Sequence, residues 1–201
     1  VNNQLEQLLV ETIEAEITAL RIGDSEAYLA FQRSAGDDWL LAQEAQFNRY
    51  QALKAESDLQ LTGRVADVVV DGQRGRAQVE EIVDGVPYLR TWFYWRYDAE
   101  SVDGREVPAG WYHVPPDLTF WGERATRSNE YFTVRYQSLD APFVSQLEQE
   151  MTRWFELLCT LADCQSLPPM TLDVVANNMP APIWTDETSQ WQMVIPSPYV
   201  D

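Results

Sequence analysis

His113 is the only histidine of this 201-residue chain, and its side chain is the one best suited to proton transfer near neutral pH. A general base at His113 paired with Asp117 is the sharpest catalytic hypothesis that the sequence supports. Four residues of strand would separate the two side chains by roughly 13 Å, so the pair forms only if the intervening prolines bend the strand sharply. We favour the alternative of a structural histidine on a sheet face, packed against Trp92 or Trp111.

The other chemistry-bearing residues indicate no metal or cofactor site. A single histidine excludes a two-histidine zinc site within one chain. The sequence also lacks a glycine-rich phosphate loop, a nucleophile elbow and a cysteine–histidine pair. We therefore predict no metal and no cofactor, and we assign no residue to catalysis.

Charge and hydropathy exclude two classes of partner. A net charge of −18 and a pI near 4.2 repel both nucleic acid and anionic lipid. The carboxylates are spread along the chain, which is typical of an acidity that serves solubility. No stretch reaches the roughly 18 apolar residues that span a bilayer, so we expect no membrane insertion.

The two cysteines, Cys159 and Cys164, bear on the compartment in which the protein works. We predict a disulfide between them if the protein is exported. Residues five apart in an uninterrupted helix exceed the roughly 7 Å Cα separation that a disulfide allows, so the helix must loosen before Cys164. The chain begins with Val1 and not Met, which suggests either a trimmed chain or a mature form that has lost an export signal. We expect an extracellular or cell-surface protein, with the cytoplasm as the alternative.

Helices are predicted for the start of the chain and strands after it. Apolar residues recur at helical spacing over 3–20, and Asp24 and Asp37 can cap two further helices. From Leu59 onward the apolar residues alternate, and three Asp-Gly pairs mark hairpin turns. The predicted strands lie near 60–70, 74–83, 86–98 and 108–121. The expected fold is α+β: N-terminal helices packed on a curved four-stranded antiparallel sheet, a cone, followed by a small α/β appendage.

The central strand of this sheet, Val86–Tyr97, needs cover on both of its faces. We assign the uncharged face to the core; it carries Leu89, Thr91, Phe93, Trp95 and Tyr97. A strict two-residue turn at Asp84-Gly85 would set Val79 opposite Arg90 on one face, which conflicts with that assignment. We therefore predict an extra, bulged residue at Gly85.

The other face of the central strand mixes aromatic residues with arginines. It consists of Tyr88, Arg90, Trp92, Tyr94 and Arg96, joined on the neighbouring strand by Trp111 and His113. Exposed to water, these residues would form an apolar patch of the kind that marks an interaction site. We predict that this face is an interface, covered by the helix of the second domain or by the same face of another chain in a homodimer.

Residues 1–122 resemble the nuclear transport factor two-like (SnoaL-like, cystatin-like) superfamily. The resemblance rests on a long first helix, the phrase GDSEAYLAF at the second helix, and the final strand GWYHVPPDLTFWG. It implies a pocket at the open end of the cone, which would hold a small apolar ligand. The pocket candidates are Tyr28, Phe31, Trp95, Tyr97 and Tyr112, with Glu81 and Thr91 as polar groups.

Residues 123–128 are polar and are predicted to link this domain to a second one, residues 129–201. The second domain has the expected order strand, long helix, strand, strand, with helix contacts at Val144, Leu147, Met151, Trp154, Leu158 and Leu161. Residues 129–201 resemble the start of a peptidase MA-like (gluzincin) domain, but the His-Glu-x-x-His motif of that family is missing.

Three functions are compatible with these observations. The leading hypothesis is a non-catalytic binding or accessory module. One alternative is a SnoaL-like isomerase or hydrolase acting on a small apolar molecule. Another is the non-catalytic front end of a zinc peptidase, which a His-Glu-x-x-His helix encoded after Asp201 would support.

Overall fold

The computed structural model describes residues 2–34, 36–56, 59–102, 105–161, 169–177, 182–185 and 191–200. The described residues up to Asp117 form one compact unit, and Leu118–Val200 form another. The predicted linker, 123–128, is not a linker, because Arg124–Ser128 forms a strand of the second unit. Within the described residues, no helix combines the length and the apolar composition needed to cross a bilayer.

Three helices open the first unit: α1 (Asn2–Ile22), α2 (Ser25–Ala30) and α3 (Asp37–Glu56). The chain turns after α1 at Gly23, whose φ of +82° favours glycine. Asp24 caps α2 by accepting a hydrogen bond of 2.9 Å from the amide of Ala27. These local interactions explain why sequence alone predicts where the helices begin and end.

The helices are followed by a four-stranded antiparallel sheet in the order β1-β2-β3-β6. Its strands are β1 (Gln60–Asp71), β2 (Arg74–Val83), β3 (Val86–Tyr97) and β6 (Gly110–Val114), and a separate small hairpin contains β4 (Glu100–Val102) and β5 (Arg105–Val107). The α+β prediction of N-terminal helices on such a sheet is confirmed. Two register shifts bend β1, near Gly63 and Asp67, which have φ angles of +81° and +46°. The Asp103-Gly104 turn lies outside the described residues.

The β2–β3 hairpin corrects the predicted register. Val83 pairs with Val86, so Asp84-Gly85 is a two-residue turn, with φ angles of +51° and +78°. Val79 therefore lies opposite Arg90, and the predicted bulge at Gly85 is wrong. The conflict that suggested a bulge does not arise, because Glu81 binds the Arg90 guanidinium at 2.7 Å and neutralises it.

The core of the first unit lies between α1 and the face of the sheet on which β3 carries Arg90, Trp92, Tyr94 and Arg96. Leu9, Ile13 and Ile17 on α1 are fully buried and share a cluster with Trp92 and Trp111. Gly75 on β2 allows this close approach, because a Cβ atom built there would lie 2.7 Å from Leu9 Cδ2. The sequence pattern predicts that the uncharged face of β3 lies in the core. In the structure, the opposite face, with Trp92 and Tyr94, packs against α1.

The second unit is a five-stranded mixed sheet in the order β10-β11-β9-β8-β7, with one long helix. Its elements are the 3-10 turns η1 (Leu118–Phe120) and η2 (Ser138–Asp140), the helix α4 (Ala141–Leu161), and the strands β7 (Arg124–Ser128), β8 (Phe132–Gln137), β9 (Met170–Val175), β10 (Ile183–Thr185) and β11 (Gln192–Pro196). Strands β8, β9 and β11 are parallel, and the edge strands β7 and β10 are antiparallel to their neighbours.

Helix α4 packs on one face of this sheet through Val144, Leu147 and Met151, as predicted from the periodicity. The contact continues through Phe155, which stacks on Tyr131 with ring centroids 5.4 Å apart. The predicted contacts at the end of α4 are wrong, since Trp154, Leu158 and Leu161 are exposed.

Candidate functional site

A buried carboxylate, that of Glu16 on α1, is the centre of a polar cluster inside the first unit. Its Oε1 accepts a hydrogen bond of 2.7 Å from Gln32 Nε2 and lies 2.8 Å from His113 Nδ1. Its Oε2 accepts a hydrogen bond of 2.7 Å from the Tyr94 hydroxyl. Glu16 is completely buried, so its three partners take the place of the water molecules that would otherwise hydrogen-bond to the carboxylate.

Backbone pairing places the three partners of Glu16. Tyr94 on β3 and His113 on β6 are directly paired across the sheet, and their rings stack at 4.9 Å. The segment after α2 adds to the edge of β6: His113 donates its amide to Phe31 O at 2.8 Å, and Arg33 donates to His113 O at 2.9 Å. Gln32 lies between these two bonds and is thereby aimed at Glu16.

The cluster orients the His113 ring. An ionised Glu16 carboxylate can only accept hydrogen bonds, so with Glu16 in that state His113 donates its Nδ1–H to Oε1. A carboxylate bound at Nδ1 leaves Nε2 as the nitrogen available for proton exchange, which is the arrangement of an acid–histidine pair. Trp92 stacks on the ring at 5.1 Å, and Trp39 meets it edge-on at 5.5 Å.

The His113–Asp117 pair, the catalytic hypothesis that the sequence supports, does not form. Asp117 pairs with Arg74 at 3.4 Å, whereas the carboxylate beside His113 is Glu16. The predicted packing of the ring against Trp92 is present. One feature of the sequence indicates that Glu16 is unusual: it is an acidic residue between Ile13 and Leu20, on the apolar stripe of α1.

The cavity beside His113 has a volume of about 40 Å³. Its wall includes Tyr28, whose hydroxyl donates to Gln43 Oε1 at 2.6 Å, and the Arg90–Glu81 ion pair. Tyr50 also lines it, and burial raises the pKa of the Tyr50 phenol. Ligand pockets measure roughly 300–1,000 Å³. This cavity therefore has room for water and not for an organic substrate.

The predicted pocket residues do not converge on one site. Tyr28 and Glu81 line the small cavity. Trp95 and Tyr97 line a shallow depression of about 370 Å³, where the Arg33 guanidinium lies 3.9 Å from the centre of the Tyr97 ring. Phe31, Thr91 and Tyr112 line neither of these two.

Most of the predicted interface face is internal. Trp92, Tyr94, Trp111 and His113 are buried, and helix α1 of the same unit covers them. Arg90 lines the cavity, Arg96 is partly buried, and Tyr88 is 42% exposed. The prediction that a second domain or another chain covers the four buried residues is therefore wrong. Its physical error was to assign the opposite, uncharged face of β3 to the contact with α1, which left this face without a partner inside its own unit.

A concave surface of about 670 Å³ lies on the sheet of the second unit; we name it the sheet groove. Its residues come from β7, β8, β9, β11 and the segments beside them: Leu118, Arg124, Ala125, Thr126, Arg135, Tyr136, Gln137, Asp173, Val174, Val175, Ala176, Gln192 and Val194. Sequence reasoning missed this site, because polar residues on one face of a strand resemble those of a loop.

Three polar side chains form the middle of the sheet groove. Arg135 binds both oxygens of Asp173, through Nε at 2.6 Å and Nη2 at 2.8 Å. Gln192 donates its amide to the same carboxylate. Arg124, in contrast, has no ion-pair partner among the described residues.

Two further predictions concern metals and cysteines. Within the described ranges, no group of three or more histidine, cysteine, aspartate or glutamate side chains could hold a metal ion. Cys159, in the last turns of α4, is disulfide-bonded. Cys164 lies outside the described residues, so the Cys159–Cys164 pairing stays a prediction.

Comparison with known proteins found no matching family model, no matching curated protein and no matching solved structure. Function is therefore inferred from the geometry of this chain.

Proposed function

We propose that the chain is a non-catalytic binding module that holds its ligand in the sheet groove of the second unit. The observation that carries this proposal is the contrast between the two concave sites. The cavity beside His113 measures about 40 Å³, and the sheet groove measures about 670 Å³. The groove falls within the range that small-molecule sites occupy, roughly 300–1,000 Å³, and it is larger than the depression of about 370 Å³ at Trp95 and Tyr97.

The polar cluster around Glu16 supports the same conclusion. Its carboxylate is fully used by Gln32, His113 and Tyr94. The nearby guanidinium of Arg90 is neutralised by Glu81. Gln32 Oε1 is the one polar atom on the Gln32, Glu16 and Tyr94 side chains that is buried without a hydrogen-bond partner among the described residues. The remaining hydrogen bonds make the cluster part of a rigid core that offers few groups to a substrate.

The first unit, in this proposal, is a cone of the nuclear transport factor two-like type that serves as an accessory domain. Helices packed on an antiparallel sheet are compatible with that fold. The protein would act outside the cell or at its surface, where the disulfide of Cys159 is stable.

The experiment is a small-molecule screen on the whole chain by amide NMR. Ligands should shift the amides of groove residues such as Thr126, Arg135 and Val194, and leave those near His113 unchanged. A screen in which every bound compound shifts the amides around His113 and Tyr28 instead would contradict the proposal, as would a screen without binders.

A second candidate, an isomerase or hydrolase of SnoaL-like type, has one observation in its favour. Glu16 holds the His113 ring in a fixed orientation, and the ring lines the cavity. A substrate would require the cavity to open. Indole and benzene are suitable probes: saturable shifts centred on Tyr28 and His113, abolished in Trp92→Phe or by filling the cavity in Val79→Leu, would favour this candidate.

The resemblance of 129–201 to a peptidase MA-like domain is a third proposal. The order of β8, α4, β9 and β11 is compatible with it. A His-Glu-x-x-His helix encoded after Asp201 would support it, and a continuation without that motif would oppose it.

A further inference from the structure

The side chains that line the sheet groove carry a net positive charge, whereas the chain as a whole is strongly acidic. Its lining contains two guanidinium groups, of Arg124 and Arg135, and one carboxylate, of Asp173. The chain as a whole has 14 basic and 32 acidic residues, and yet the carboxylate in the groove neutralises only Arg135. Among the described residues, Arg124 is therefore a cation without a neutralising carboxylate in the lining.

Strand register brings the donors of the groove to one face. Thr126 on β7 is paired with Arg135 on β8, and Arg135 is paired with Asp173 on β9. Arg124 precedes Thr126 by two residues, so it points to the same side of the sheet. Diagonal neighbours on a sheet face are about 7–8 Å apart, a span that one bound carboxylate can bridge with two long arginine side chains.

Arg135 keeps donors for a ligand in addition to those that bind Asp173. A guanidinium has five N–H donors in a planar fork, and the contacts to Asp173 use Nε and Nη2. The Nη1 group remains. Asp173 thus holds the guanidinium plane in place, which lowers the ordering cost of binding a second anion.

The groove also has an apolar side. Val175 and Val194 lie on the same face of the sheet as the Arg135–Asp173 pair, since Val194 is paired with Asp173 and Val175 follows it by two residues. Leu118 and Ala176 extend this surface at the margin of the groove. A ligand with a flat apolar body and one carboxylate would satisfy both sides.

We infer that the sheet groove binds a small organic carboxylate, with Arg124 and Arg135 holding the carboxylate and Val175 and Val194 contacting the apolar body. This inference rests on the proposed binding function and adds the chemical class of the ligand. The unbalanced Arg124 charge is the observation that selects an anion over a neutral molecule.

The test compares 2-naphthoate with its neutral analogue 2-naphthamide on the whole chain, by amide NMR titration. We expect 2-naphthoate to shift groove amides and to bind at least about fivefold more tightly than 2-naphthamide, because charge-assisted hydrogen bonds to Arg124 exist only for the acid. Raising the salt concentration should weaken the binding of 2-naphthoate and leave that of 2-naphthamide unchanged.

Arg124→Gln should reduce this preference, because only the Arg135 guanidinium is then left to hold the carboxylate. A preference equal to that of the parent would contradict the role of Arg124. The matched control is Arg153→Gln, an exposed arginine on α4 outside the groove, which should keep the preference. Unchanged melting temperatures show that both variants are folded. Equal binding of the two compounds to the parent chain would overturn the carboxylate inference and leave the groove as a binding site. Binding of neither compound, together with a negative screen, would overturn both.

Discussion

His113 Nδ1 lies 2.8 Å from Glu16 Oε1, although 97 residues separate the two along the chain. The contact joins the first helix of the unit to the last strand of its sheet. It lies in the core, between the fully buried residues Ile13 and Ile17 on one side and Tyr94 on the other. We therefore expect the Glu16 cluster to determine the stability of the first unit.

Glu16→Ala should destabilise the first unit by about 3 kcal/mol or more. The substitution leaves donors on Gln32, Tyr94 and His113 without an acceptor, and each such buried group costs about 1–3 kcal/mol. Urea denaturation measures the loss. Glu16→Gln, which keeps the volume and one acceptor oxygen, should lose less. Glu14→Ala on the exposed side of α1 is the control, and equal losses in the Glu14 and Glu16 alanine variants would contradict the prediction.

Gly75→Ala should destabilise the first unit by about 1–3 kcal/mol, the usual cost of overpacking a core. The new methyl group would meet Leu9 Cδ2 at 2.7 Å and Trp111 Cζ3 at 3.2 Å. Thermal or urea denaturation provides the measurement. Gly110→Ala is the matched control, since nothing lies within 4 Å of a Cβ atom there.

A double-mutant cycle tests whether the Gly75 effect arises at Leu9. Leu9→Ala removes the atom that the new methyl group meets, so Gly75→Ala should cost less in that background than in the parent. Additive losses would show that the contact with Leu9 is not the cause.

The free energy of unfolding of the second unit should include a contribution from Asp140 that decreases as pH rises. Asp140 is fully buried, and this burial raises the pKa of its carboxyl group, partly offset by hydrogen bonds from Ser197 and Trp121. A raised pKa means that the folded state holds the proton more tightly than the unfolded state. The contribution is therefore complete below the ordinary pKa of an aspartate, about 3.9, and is lost as pH rises through the raised value.

Asp140→Asn keeps the neutral form at every pH, so its stability relative to the parent should be greater at pH 7 than at pH 4. Chemical denaturation, followed by NMR peaks of the second unit, measures this difference. Glu150→Gln on the exposed side of α4 should show no such trend. A relative stability of Asp140→Asn that is constant between the two pH values would be the contradicting outcome.

Counting free thiols tests the disulfide predicted between Cys159 and Cys164. Unreduced protein should contain no free thiol and should run as a monomer on a non-reducing gel, and Cys164→Ser should release one thiol, that of Cys159. Two free thiols before reduction, or a covalent dimer, would exclude the intramolecular pairing.

Features determined by local interactions could be predicted from the sequence. The Asp-Gly pairs predicted both hairpins: Asp84-Gly85 forms the second turn, and the first turn is Gly72-Gln73, directly after Asp71. Strand β2 has the predicted bounds, Arg74–Val83. Local turn chemistry needs no knowledge of distant residues.

Features that depend on distant partners could not be predicted. The orientation of β3 was misjudged because Arg90 is neutralised by Glu81, a contact that exists only in the true register. Glu16 was missed because its partners lie 16, 78 and 97 residues away. Strand β7 was predicted to be a linker because an edge strand with one open face needs few apolar residues.

The contact between Glu16 and His113 also sets an order of events during synthesis. Helix α1 emerges first, but the residue that pairs with its buried carboxylate is made 97 residues later. At about 5–20 residues per second, the ribosome needs roughly 5–20 seconds to reach it. During that interval the apolar stripe of α1 has no completed sheet to cover it. We therefore expect the nascent first unit to expose apolar surface until β6 is made.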